Sequence, residues 1–249
     1  MVELEPHKPG RRFDRHFRWR GTEVSRIEAI ADAVFGLVLA MLLLKEHPPE
    51  SFGALFDVLR GLLPLAVTFA CVARIWLEHY LFFRRFDLHD GPSIALTFLL
   101  LFLVVAYAYP LKLIFTAFLM NFIGPIGELT MKHIIEGASV CSVFVVFSLG
   151  FCAIYATLVL LYRQALRRRT ELELDEVETF LTRSTIQGLG LQLSVGLLSV
   201  ALAIAGLVAG ADSVLSRVGL PGWIYFLIGP LMGIHGTRQG RGLRQLGAG

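Results

Sequence analysis

Residues 27–45, IEAIADAVFGLVLAMLLLK, decide the fold. Two carboxylates, Glu28 and Asp32, stand near the start of a run that is otherwise apolar as far as Leu44. A helix needs about 20 mostly apolar residues to cross the hydrocarbon core of a bilayer, and this run has that length. Residues 1–25 before it are basic and polar and lack the apolar core and small-residue cleavage site of a signal peptide. The run therefore reads as a retained first membrane helix.

Five further stretches of the same kind follow, at about 58–82, 93–120, 138–162, 184–210 and 219–236. The expected fold class is an all-α integral membrane protein with six transmembrane helices. A basic segment, 1–25, precedes them, and a flexible basic tail, 237–249, follows. The composition agrees: 55% of the residues are hydrophobic and 17% charged, with a mean hydropathy of +0.65. A water-soluble domain usually carries about a quarter charged residues. Turn signals fall between the runs, at Pro48-Pro49, Gly91-Pro92, Gly124-Pro125 and Pro221-Gly222. The longest link, 163–183, is charged and helix-prone and is expected to prolong the fourth helix before the chain turns back.

Charge orients the crossings. The N-terminal segment, the second-to-third link, the fourth-to-fifth link and the tail carry seventeen Lys and Arg, including Arg84, Arg85, Arg167, Arg168 and Arg169. The opposite links offer Lys45, Arg60, Lys132 and Arg217. The positive-inside rule then places both termini in the cytoplasm. The net charge of +3 is spent on this topology, so no nucleic-acid partner is expected.

Hydrolase, nucleotide-binding and zinc-protease motifs are absent, and no enzyme is expected. His133 and Glu136 have metal-like spacing but no third ligand nearby in the sequence. Cys71, Cys141 and Cys152 lie inside apolar runs as small hydrophobes. Neither a metal nor a cofactor is expected. No TVGYG-like loop offers a filter of backbone carbonyls. The unusual residues are ionisable groups at membrane depth, which are costly and are commonly paired or functional. Glu28 and Asp32 share a helical face, Arg26 stands at the mouth, and Arg74, Glu78 and His79 lie within about two turns of the second helix. An Asp32–Arg26–His79 network is expected, either only welding the two helices or taking a direct part in permeation. Further along the first helix, Leu37, Met41 and Leu44 fall at i, i+4, i+7 on one face. That stripe suits lipid or core on a peripheral helix, and stacked apolar rings on a helix around an axis.

The pattern Arg26-Ile27-Glu28-Ala29-Ile30-Ala31-Asp32, followed by Ala33-Val34-Phe35-Gly36-Leu37, resembles the endolysosomal potassium channel family and its bacterial six-helix, single-repeat homologues. Their first helix opens with Arg, three residues and Phe-Ser-Asp, and here Ile30-Ala31 stands in place of Phe-Ser. Trp76, His79 and Phe83 are similar to the family's aromatic segment in the second helix, with Tyr80 in place of a second His. Pro110 resembles its third-helix proline. The resemblance carries motifs over about residues 26–115. It implies a homotetramer in a lipid bilayer, with the first helices around a central pore and potassium as the permeant ion. It also implies an apolar constriction at Leu37, with Met41 and Leu44 as further rings. Arg26, Asp32, Trp76 and His79 would form a packing network behind the pore. Ala40 stands where the family carries a threonine tied to cation preference.

The functional expectation is a cation channel, potassium-conducting, in a bacterial inner membrane. Two other classes are kept in view. A proton-coupled secondary transporter would use Arg74, Glu78, His79 and Asp32, although the two halves show no convincing repeat. A non-conducting scaffold or sensor would use the close packing allowed by Gly206, Gly210, Gly229 and Gly233.

Overall fold

The computed structural model describes residues 16–44, 51–124, 140–210, 213–215 and 219–247. His133, Glu136, Lys45, Lys132 and Arg217 lie outside them, as does the side chain of Leu44. The described residues are almost wholly helical. In chain order they form α1 (Arg26–Leu44), α2 (Phe52–Phe86), α3 (Gly91–Ile123), α4 (Val140–Arg167), α5 (Glu176–Ala209), a short turn α6 (Leu220–Trp223), a 3-10 turn (Ile224–Leu227) and α7 (Ile228–Gln245). Among the described residues four helices are long and apolar enough to cross a membrane: Val58–Phe86, Gly91–Met120, Val140–Arg167 and Glu176–Ala209. The chain is thus a multi-pass, all-helical membrane protein.

Local chemistry explains where the helices start and stop. At α5, Asp175 accepts the Glu178 amide at 2.7 Å while the Glu178 carboxylate reaches back to the Asp175 amide. This reciprocal capping box satisfies two otherwise orphaned donors. Ser25 and Glu28 repeat it at α1, with bonds of 3.3 and 2.8 Å. Pro92 opens α3, where its missing N–H costs nothing. Within α2, the Pro64 carbonyl accepts the Thr68 hydroxyl at 2.7 Å. The 163–183 link does prolong the fourth helix, as far as Arg167.

The last segment departs from the expected single crossing at 219–236. It is broken into α6, the 3-10 turn and α7, and helix then continues to Gln245, through the stretch read as a flexible tail. Pro230 gives the physical reason. It has no N–H for the carbonyl four residues earlier, at Phe226, and its ring crowds that carbonyl. Tighter 3-10 geometry at Ile224–Leu227 absorbs the conflict. Ser199 of α5 pins the break by donating to the Pro221 carbonyl at 2.8 Å and sharing a 2.8 Å hydrogen bond with Ser148 of α4.

The helices divide into two packed groups. α4 and α5 form the most extensive pair, and α6, the 3-10 turn and α7 lie against α5. α1 packs on α2 and α3, and α3 bridges to α4. One buried cluster runs through both groups, from Phe17 and Phe35 to Phe82, Phe86, Leu158 and Tyr162.

Candidate functional site

α1 has two unlike faces. Ala31, Phe35, Val38 and Leu42, at i, i+4, i+7, i+11, are buried. The opposite face, with Ala29, Ala33, Gly36, Leu37, Ala40 and Met41, is exposed. Leu37 is 58% exposed and Met41 50%, and among the described residues no neighbouring element comes within 4 Å of where a Cβ on Gly36 would lie. Lys112 of α3 donates to the Leu42 carbonyl at 3.0 Å and so holds the far end of the helix.

The expected network exists in altered form. Trp76 Nε1 donates to Asp32 Oδ1 at 2.7 Å, joining α2 to α1. Trp76 stacks on Tyr80, whose ring also meets Trp19 and lies under the Arg84 guanidinium. Arg26 and His79 are not brought to Asp32. Arg26 is exposed on the first turn. Six residues of helix turn it about 240° from Asp32, on another face. His79 is buried between Phe35 and Phe83, with ring centroids 6.1 and 4.9 Å away. Its Nε2 has no hydrogen-bond partner among the described residues. Ile30 is exposed and Ala31 fully buried.

The charge that holds the mouth of α1 is instead Glu28, which forms a buried ion pair with Arg84 at the end of α2. Arg84 Nη1 also donates to the Gly21 carbonyl at 2.8 Å. Glu28 and Arg84 were both visible in the sequence, but their pairing was not, because 56 residues separate them. A second pair, Arg20 with the buried Glu178 at 2.7 Å, ties the N-terminal segment to α5. Arg20 also donates to the carbonyls of Leu172, Arg18, Arg85 and Glu173. Phe17 is sealed against Phe86 beside Arg85. The segment passes so close to α2 that a Cβ on Gly21 would lie 2.6 Å from the Phe83 carbonyl. Each capping-box glutamate thus also receives an arginine. Lone buried charges are costly, and pairing with added hydrogen bonds offsets that cost.

Arg74 and Glu78 pair along α2. The Glu78 carboxylate also accepts the Tyr162 hydroxyl at 3.2 Å. The described residues contain no group of three or more His, Cys, Asp or Glu placed to hold a metal ion. Cys71, Cys141 and Cys152 form no disulfide among the described residues.

A multi-pass helical bundle whose first helix is held at its mouth by the Glu28–Arg84 pair, with one face exposed among the described residues, defines the class as a membrane protein. Known proteins make that class specific. Residues 26–107 match the family described as endosomal/lysosomal potassium channel TMEM175. A protein named "Potassium channel" from Marivirga tractuosa is 32% identical over 236 residues, covering 93% of this chain and 94% of that protein. The crystal structure of the potassium channel MtTMEM175, a threonine-to-alanine variant bound to a nanobody–MBP fusion protein, matches with a TM-score of 0.76 and 31% identity. That match covers 96% of this chain and all of the other. The crystal structure of a homologue of the lysosomal potassium-selective channel TMEM175, from Chamaesiphon minutus, shares the fold at a TM-score of 0.53 and 19% identity. It covers 86% of this chain and 96% of that one. This chain belongs to the TMEM175 potassium channel family. It is therefore a potassium channel and not an enzyme.

Proposed function

We propose that the chain assembles as a homotetramer in a bacterial inner membrane and conducts potassium through a pore lined by the bare face of α1. In this reading α1 and the broken α6–α7 segment complete six crossings, and both termini are cytoplasmic. The single observation that carries the reading is the division of α1 into a buried stripe and an exposed one. The exposed stripe alternates small residues, Ala33, Gly36 and Ala40, with Leu37 and Met41. Small residues let neighbouring helices approach closely. The exposed part of α5 carries branched aliphatics that suit lipid, Leu197, Leu198, Ile204 and Val208, beside Ala201, Ala205 and Ala209.

Around an axis, Leu37 would form an apolar ring, with Met41 and Leu44 beyond it. Apolar rings restrict conduction by excluding water when narrow. Ala40 lies on the same face and offers no hydroxyl. Asp32 and Trp76 hold the helix behind this wall, and Glu28 and Arg84 set its mouth. Potassium flux from liposomes containing the purified protein tests the reading. Flux is expected without a proton gradient, and Leu37→Ala is expected to raise it several-fold. Absence of flux at any potential would contradict the proposal. Saturable flux requiring a pH gradient would point to a carrier.

A further inference from the structure

A cavity of about 990 Å³ lies away from the α1 face, between α2, α3, α4 and the α6 region. Pockets for small organic ligands commonly have volumes of about 300–1,000 Å³. One end is apolar and aromatic, lined by Phe115, Phe118, Phe144, Trp223 and Phe226. The other end carries Arg74, Tyr107 and Tyr155. By helix rise, Arg74 is about 18 Å from the end of α2 at Phe86, and Tyr155 about the same distance from the end of α4 at Arg167. These groups therefore sit at similar depth, well inside the spans. Phe118 lies about 16 Å beyond Tyr107 along α3.

Two observations favour a binding site over a packing gap. The Arg74 side chain is 46% exposed although it sits in the middle of a membrane span. A guanidinium bared to hydrocarbon there is costly, but this one lines the cavity. The Tyr107 hydroxyl is a second unspent donor: the residue is 93% buried, it lines the same cavity, and its oxygen has no hydrogen-bond partner among the described residues. Among the described residues the carboxylate paired with Arg74 is Glu78, which also accepts the Tyr162 hydroxyl. Arg74 carries five N–H donors, so most remain for a ligand.

We propose that this cavity binds a long-chain carboxylate, with its head on Arg74 and the Tyr107 hydroxyl and its chain along the aromatic end. Arginine presents a planar fork that matches a carboxylate, and the aromatic walls take an apolar chain. A phospholipid fits less well, because its phosphate and glycerol belong at the membrane surface and not at the depth of Arg74.

The test is equilibrium binding of radiolabelled palmitate to the purified, delipidated full-length channel, with methyl palmitate and phosphatidylglycerol as competitors. Saturable palmitate binding is expected, weakened about tenfold by Tyr107→Phe and about a hundredfold by Arg74→Gln, as loss of hydrogen bonds to a charged head implies. Methyl palmitate should compete poorly and should be indifferent to Arg74→Gln. If Arg74→Gln fails to fold, Tyr107→Phe and a cavity-filling Val143→Trp decide, and both should reduce binding. No saturable binding, binding unmoved by these variants, or displacement by phosphatidylglycerol as effective as that by palmitate would overturn the proposal. The assay does not read conduction, so it succeeds or fails independently of the channel reading.

Discussion

α1 and α5 begin alike and end differently. Each opens with a capping box whose glutamate is buried and receives an arginine, Glu28 from Arg84 and Glu178 from Arg20. Beyond that first turn α5 is built into its subunit, against α4 on one side and α6, the 3-10 turn and α7 on the other. Among the described residues α1 packs mainly on α2 and α3, and its small-residue face is exposed. The difference separates anchoring from covering. Both helices are fixed at their first turn, and in the proposed assembly the exposed face of α1 is the one that neighbouring subunits cover.

The comparison breaks most visibly at the anchors. Glu28→Gln leaves Arg84 buried without its counter-charge, and removing one member of a buried pair costs about 3–5 kcal/mol. Thermal unfolding in detergent should show that loss. Glu28→Gln combined with Arg84→Met should recover part of it, since the stranded charge is then gone. A smaller effect is expected at the second tie. Trp76→Phe keeps the ring on Tyr80 but removes the donor to Asp32, a bond to a charged acceptor worth about 1.5–3 kcal/mol at most. It should lower thermal stability by less than the Glu28 change while altering single-channel conductance.

Ala40→Thr sharpens the comparison from the bare side. A hydroxyl added to that face changes what the pore offers a cation without touching the buried stripe. The potassium-to-sodium permeability ratio from reversal potentials should rise, with little change in unfolding temperature.

The smallest expected effect lies outside the spans, at the α2–α3 corner. Burial alone would raise the Asp90 carboxyl, but Ser93, Gln164 and Arg168 hold it below the ordinary carboxylate range. Gln164 donates to it at 3.0 Å and Arg168 approaches to 3.3 Å. A depressed carboxylate stabilises the fold above its unfolded pKa, about 3.9, and loses that contribution as pH falls through the folded value. Stability should therefore fall slightly on acidification below about pH 4, and Asp90→Asn should flatten that part of the profile.

Sequence periodicity located the long helices because their apolar runs have one dominant reading. α1 was expected at about 27–45, and its helix is observed from Arg26 to Leu44. The Asp32–Trp76 bond was legible through the family pattern. Contacts between distant polar residues were not, because no local signal links Glu28 to Arg84 or Arg20 to Glu178. The capping boxes offered a partial clue: Ser25 and Glu28 have the right spacing. His79 was misjudged as a network member because a histidine near an aspartate in projection can still point between two phenylalanines. The break before α7 was foreshadowed by Pro230, whose effect depends on which carbonyl it leaves unpaired.

Leu37→Cys, in a chain whose native Cys71, Cys141 and Cys152 are replaced by serine, tests the central claim most directly. If the bare face of α1 lines an axis shared by identical subunits, oxidation in liposomes will link neighbouring subunits through Cys at this position, and a bulky thiol reagent will block potassium flux. Labelling by a lipid-soluble maleimide with no cross-linked dimer and undiminished flux would place Leu37 against lipid and contradict the account.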